Sequence, residues 1–226
     1  MSTIGNLIKN EIEHYASTRV RTHELFRATE RGSLSEQQVK AYVSGILFQI
    51  RGNMAVLRRA EQRALAAEDY ELAAHYRHKL GEERGHDRWA ERDLQSLPGS
   101  VAAYGSGDST NALALQGLVT YLRTIVDQDA CLFLSYIILA EYMTVLVGPD
   151  WLRALESKCG ISPAKLTVLT NHIELDREHV VEGVRVIDAL VTSPEKRGPM
   201  LEVLRKCMAC YEEFWDEIMS TTSKAA

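Results

Sequence analysis

Apolar residues recur along this chain at spacings of three and four, over stretches too long for strands, and no useful run alternates with period two. The pattern predicts an all-α helical bundle of about seven or eight helices. The first is expected over about Ile4 to Arg27. Ser35-Glu36-Gln37-Gln38 has the form of a capping box and opens a long helix to about Ala66. Asp69 can cap the next, from Tyr70 to about Leu94, which Leu97-Pro98-Gly99-Ser100 ends. A Gly- and Ser-rich loop reaches Asp108. Helices follow over Ser109 to Asp127 and Asp129 to Val147, with Gly148-Pro149-Asp150 expected to break the chain before a short helix to Lys158. Ser162-Pro163 opens another that reaches about Val191. The last follows Ser193-Pro194 and Gly198-Pro199 and reaches about Met219.

At 226 residues the chain fits one helical domain, 1–226, long enough to bury a core without disulfides or metals. Its net charge of -5 argues against nucleic-acid and anionic-membrane partners, which require a basic face. Met1 to Tyr15 does not read as a signal peptide. The most apolar run, Cys131 to Val147, is short for a membrane span and contains Glu141, so it is expected as a buried core helix. A cytoplasmic location follows as an expectation, with four reduced cysteines. Cys207 and Cys210 form a C-x-x-C pair, but no second pair completes a zinc site; both are expected as small core residues.

Three groups of polar residues interrupt core faces. His172, Asp176 and His179 are spaced by four and three, so they share one helix stripe. Val168 and Leu169 precede them on it; Gly183, Val186, Ile187 and Leu190 follow. Glu174, Arg177 and Glu178 fall off the stripe and are expected in solvent. A buried carboxylate is costly unless paired or metal-bound, and this face offers no lysine or arginine. Imidazole with carboxylate suits iron, manganese or zinc; a hydrogen-bonded His–Asp–His network is the competing reading. Glu141 lies in a helix apolar all round, where an arginine from another helix is the alternative partner. Glu83 and His86 have the E-x-x-H spacing used by di-iron carboxylate bundles, a pattern also common on surface helices. Together these are three imidazoles and three carboxylates, more than one zinc would use, and suited to two metal ions.

In these residues the chain resembles the heme-oxygenase-like di-iron oxidases and oxygenases, which share their helical fold with heme oxygenase, thiaminase II and pyrroloquinoline-quinone synthase. His86, then Glu141, then His172-x-x-x-Asp176-x-x-His179 follow the family's order, and the likeness extends to Tyr211-Glu212-Glu213-Phe214-Trp215. The resemblance implies two Fe(II) ions held by Glu83, His86, Glu141, His172, Asp176 and His179, with O2 as co-substrate and a small amino acid or carboxylic acid as substrate. It implies C–C cleavage, desaturation or N-oxidation. It also implies a metal site loosely assembled without substrate, chiefly in the helix carrying His86. Homodimers are common in the family. The first-helix ligand is ambiguous: Glu83 is the natural choice and Glu82 the second, while Lys79, two turns before His86, cannot serve. Glu36 and Glu61 are candidates for a further carboxylate.

Three rival readings remain. A thiaminase II-like hydrolase would use Cys131 as nucleophile, though the Gln-Asp expected near Gln49-Ile50 lacks its Asp. A heme oxygenase would use His14 or His23 as axial ligand. A non-catalytic binding protein would use the polar residues as core networks.

Overall fold

A computed structural model describes residues 3–98 and 113–220, and every regular element among them is helical. The α-helices are α1 (Ile4–Thr18), α2 (Glu24–Glu30), α3 (Glu36–Ala66), α4 (Tyr70–Glu82), α5 (Asp87–Ser96), α6 (Leu113–Gln128), α7 (Leu134–Cys159), α8 (Thr167–Leu190) and α9 (Arg197–Ser220). The expected Gly- and Ser-rich loop beyond Pro98 and the helix start at Ser109 lie outside the described residues. Ser35 forms the capping box: its Oγ accepts from Gln38 N at 3.2 Å and Gln38 Oε1 accepts from Ser35 N at 3.0 Å. Asp69 caps α4 through Leu72 N at 3.0 Å.

Three expected boundaries are corrected. The first helix does not reach Arg27: α1 ends at Thr18, a 3₁₀ turn spans Val20–Thr22, and His23 restarts the chain by accepting from Leu25 N through Nδ1. The Tyr70-to-Leu94 helix is two helices, because Gly85 takes φ +89°, a conformation open to glycine and strained for other residues. Gly148-Pro149-Asp150 does not break the chain. Pro149 sits inside α7, where losing one backbone hydrogen bond costs about 3 kcal/mol. Burial on both sides of it, at Val147 and Gly148 and then at Trp151 and Leu152, offsets that cost. The helix stops instead at Gly160, left-handed at φ +70°, with Ile161 N bonded back to Leu155 O at 3.0 Å.

α7 is the central helix and packs most extensively against α8. The segment Ala130–Cys159 is long and apolar enough to cross a membrane, but 72% of its most apolar window is buried within the protein. It is therefore a core helix, as its sequence suggested. α3 packs on α4, α5 and α6, while α1 lies against α7 and α8. The approach of α8 to α7 depends on Gly148: a Cβ there would lie 2.7 Å from Ile173 Cδ1. Cys207 and Cys210 are buried free thiols in α9, as expected.

Candidate metal centre

The α4–α5 turn, α7 and α8 bring the six singled-out residues together as two triads. Glu83, His86 and His172 form one, and Glu141, Asp176 and His179 the other; within each, the ligand atoms lie within 4.8 Å of one another. Glu83 and His86 lie on the turn between helices rather than on one helix, yet the Gly85 turn still leaves His86 Nδ1 3.1 Å from Glu83 Oε2. The stripe on α8 turns inward: Asp176 is buried and His179 largely so, while Glu174, Arg177 and Glu178 are exposed.

The first triad is held by neighbours. His86 stacks on Trp89 with ring centroids 4.3 Å apart and meets His172 edge-on at 4.8 Å. His172 Nδ1 lies 2.6 Å from Val168 O. A carbonyl only accepts, so Nδ1 carries the proton and Nε2 keeps its lone pair for a cation. Asp93 anchors that carbonyl's residue: its Oδ2 accepts from Val168 N and its Oδ1 from Thr167 Oγ1, both at 2.7 Å. Asp93 is buried and sits at the start of α8, where the helix dipole favours a negative charge.

The second triad corrects an expectation. A compensating cation is present, and it is a lysine rather than an arginine. Lys79, only 2% exposed, places Nζ 2.9 Å from Glu141 Oε1 and 3.0 Å from Glu82 Oε2. Burial opposes the charge on Lys79, but Glu141 and Glu82 outweigh it and its pKa ends above the ordinary lysine value. Burial pushes Glu141 up to about 7, with Lys79 pulling the other way. Lys79 therefore stays an ammonium, while Glu141 is only partly ionised near neutral pH. Asp176 is raised, chiefly by burial, despite its bond to His179 at 3.2 Å. His179 is raised, first by that bond. For Glu83, burial is again the largest influence and acts upward, but His86 and His172 reverse it, and the carboxyl ends below its ordinary range.

Donor chemistry fits a cation. Glu141 Oε2 is buried with no hydrogen-bond partner among the described residues, a costly state for a carboxylate oxygen that a metal ion would relieve. All six donors are imidazole or carboxylate, the set suited to iron or manganese.

Two of the other candidates, Glu36 and Glu61, do not reach the centre. Glu36 pairs with Lys165 at 2.9 Å and Glu61 with Arg77 at 2.7 Å. Glu82 lies beside the second triad, 3.5 Å from His179, and also groups with His78 and Glu182 nearer the surface. Lys79, Trp89 and Asp93 went unassigned in the sequence. The available signals were a lysine continuing the stripe Leu72, Ala73 and Tyr76, and an aspartate in step with Ala90.

A cavity of about 170 Å³ adjoins the centre. Its walls are largely aromatic and aliphatic, among them Tyr42, Phe133, Trp151, Phe214 and Trp215, and it reaches Lys79, Glu83, Glu141, His172 and Asp176. Lys79 is the one lysine or arginine among its lining residues.

The rival sites fare differently. Burial and Asp69 push the Cys131 thiol up to about 11, the reverse of an activated nucleophile. His14 is exposed, while His23 caps α2 and lies 3.2 Å from Asp216.

No family model and no curated relative matches the sequence. Solved structures do. A domain of unknown function with a heme oxygenase-like fold from Shewanella denitrificans superimposes with a TM-score of 0.81 at 16% identity, covering 95% of this chain and 91% of that one. A CADD-like protein of unknown function from Nostoc punctiforme gives 0.72 at 16% identity, covering 96% and 97%. A second structure of that protein gives 0.69 at 15%, covering 98% of both chains. The chain therefore has the heme-oxygenase-like fold; at these identities the likeness carries the fold alone.

Proposed function

We propose that this protein is an O2-dependent oxidase or oxygenase that binds two iron ions in its two triads and acts on a small carboxylic or amino acid in the adjoining cavity. The observation that carries the reading is the junction of a largely apolar cavity with six converging nitrogen and oxygen donors. Glu83, His86 and His172 would hold one ion, and Glu141, Asp176 and His179 the other. Iron, when bound, supplies the activation of O2 that no side chain can perform.

The remaining roles belong to the chain itself. Val168 O fixes the His172 tautomer, and Trp89 fixes the planes of His86 and His172. Lys79 is the cation able to meet a substrate carboxylate at the metal end of the cavity. Aromatic walls exclude water, which strengthens each of these interactions. Four free thiols suit a reducing cytoplasm.

Anaerobic Fe(II) loading followed by O2 exposure tests the proposal. We expect about two iron ions per chain and a transient absorption band whose formation one member of an amino- and fatty-acid panel accelerates. A protein that takes up no Fe(II), or whose loaded form leaves O2 unconsumed with every acid, would overturn it.

A further inference from the structure

Gln49 of α3 is buried in the wall of this cavity and 5% exposed. Its Nε2 lies 2.8 Å from Tyr136 Oη and 2.5 Å from Tyr211 Oη. Tyr136 donates its own proton to Asn53 Oδ1 at 2.9 Å, so it accepts from Gln49. Both amide protons are thus committed to the two phenols. Gln49 Oε1 is left buried with no partner among the described residues. An unsatisfied buried amide oxygen costs on the order of 1–3 kcal/mol. The fold sustains that cost inside a network whose members, Gln49, Asn53, Tyr136 and Tyr211, all line the cavity.

We infer that Gln49 Oε1 is the acceptor of a specificity subsite for a neutral O–H or N–H group at the far end of the substrate from its carboxylate. The inference rests on the proposed function, which places the carboxylate at Lys79. Tyr136 and Glu141 share α7 and are five residues apart, about 7.5 Å along the helix axis. The cavity is somewhat larger than the roughly 150 Å³ that accommodates a benzene-sized ligand. The members of the Gln49 network and their hydrogen-bond partners are all neutral, so a neutral donor matches the subsite. The substrate class is therefore a short carboxylic acid whose apolar body ends in a hydroxyl or amide N–H. In its absence a water molecule can serve Oε1, and the ligand's donor displaces it.

Binding of hexanoate, its ω-hydroxy derivative and its ω-fluoro derivative, measured calorimetrically on metal-free and on Zn(II)-loaded protein, tests the subsite without relying on turnover. The hydroxy acid should bind about tenfold or more tighter than the other two. Gln49→Leu should abolish the preference. Hexanoate should bind Gln49→Leu at least as tightly as it binds the wild type; this guards against loss of the site by misfolding. Equal affinity for the three acids, or a preference that survives in Gln49→Leu, would overturn the subsite. Absence of binding by all three would overturn it too. A preference for the hydroxy acid in a protein that takes up no metal would leave the subsite standing and sink the oxidase reading.

Discussion

Lys79 Nζ lies 2.9 Å from Glu141 Oε1, with both side chains nearly excluded from solvent. An ammonium thus occupies part of the space a cation at the second triad would claim. It neutralises one carboxylate of a cluster that otherwise gathers negative charge. Removing it with Lys79→Met leaves a buried, unpaired carboxylate, which should cost the metal-free protein about 3 kcal/mol. Urea unfolding will measure the loss. The Lys79→Met/Glu141→Gln double variant should recover most of it, and failure to recover would refute the pairing. Mn(II) should bind the second triad of Lys79→Met more tightly than that of the wild type, because no ammonium competes for Glu141.

Asp93 touches no candidate ligand, yet it fixes Thr167 and Val168, and Val168 O fixes His172. Asp93→Ala should destabilise the fold by about 1–2 kcal/mol as a lost helix cap. It should also weaken metal binding about 10-fold or more as a lost supporting contact. Thermal unfolding and competition with a chromophoric chelator separate the two effects. A destabilised protein with unchanged metal affinity would show that Asp93 is a cap and nothing more.

Metal uptake should release protons. Burial raises both Glu141, to about 7, and Asp176, while Asp176 raises His179. All three must be deprotonated to bind a cation. Affinity should therefore fall as pH drops from 8 to 6, by up to about tenfold per unit for each proton displaced. Calorimetry in two buffers of different ionisation enthalpy counts those protons. A pH-independent affinity would contradict the assignment of the second triad.

His75 gives a separate acid sensitivity. Burial, aided by Lys79, lowers its pKa to about 4 from the ordinary 6.5. Above pH 6.5 it is neutral whether the chain is folded or unfolded and contributes no pH dependence. Between 6.5 and 4 the unfolded chain takes up the proton first, so stability declines as pH falls, by up to about 3 kcal/mol at the lower limit. His75→Gln should flatten that decline in denaturation curves at pH 7 and pH 4.5; an equal decline in both proteins would show that other groups dominate.

Gly148→Ala tests the contact between the helices that carry the second triad. Its Cβ would meet Ile173 Cδ1 at 2.7 Å and Cγ1 at 2.8 Å. We expect a loss of about 1–3 kcal/mol, as for overpacked cores, relieved by Ile173→Val or Ile173→Ala. A neutral Gly148→Ala would mean that Ile173 moves aside freely.

Local sequence pattern alone specified the all-helical character, the capping box at Ser35 and the inward stripe of His172, Asp176 and His179, because helical periodicity and capping are local physics. The same periodicity made Glu141 stand out as a charge within a buried helix. Tertiary structure decided what local pattern leaves open. It carried α7 through Pro149, since the packing around Trp151 and Ile173 outweighs a lost hydrogen bond. It paired Glu141 with Lys79, 62 residues away, and left Gln49 facing two phenols from α7 and α9. Those partners are set by how helices cross, and a linear spacing rule contains no information about which distant side chains end up sharing a low-dielectric space.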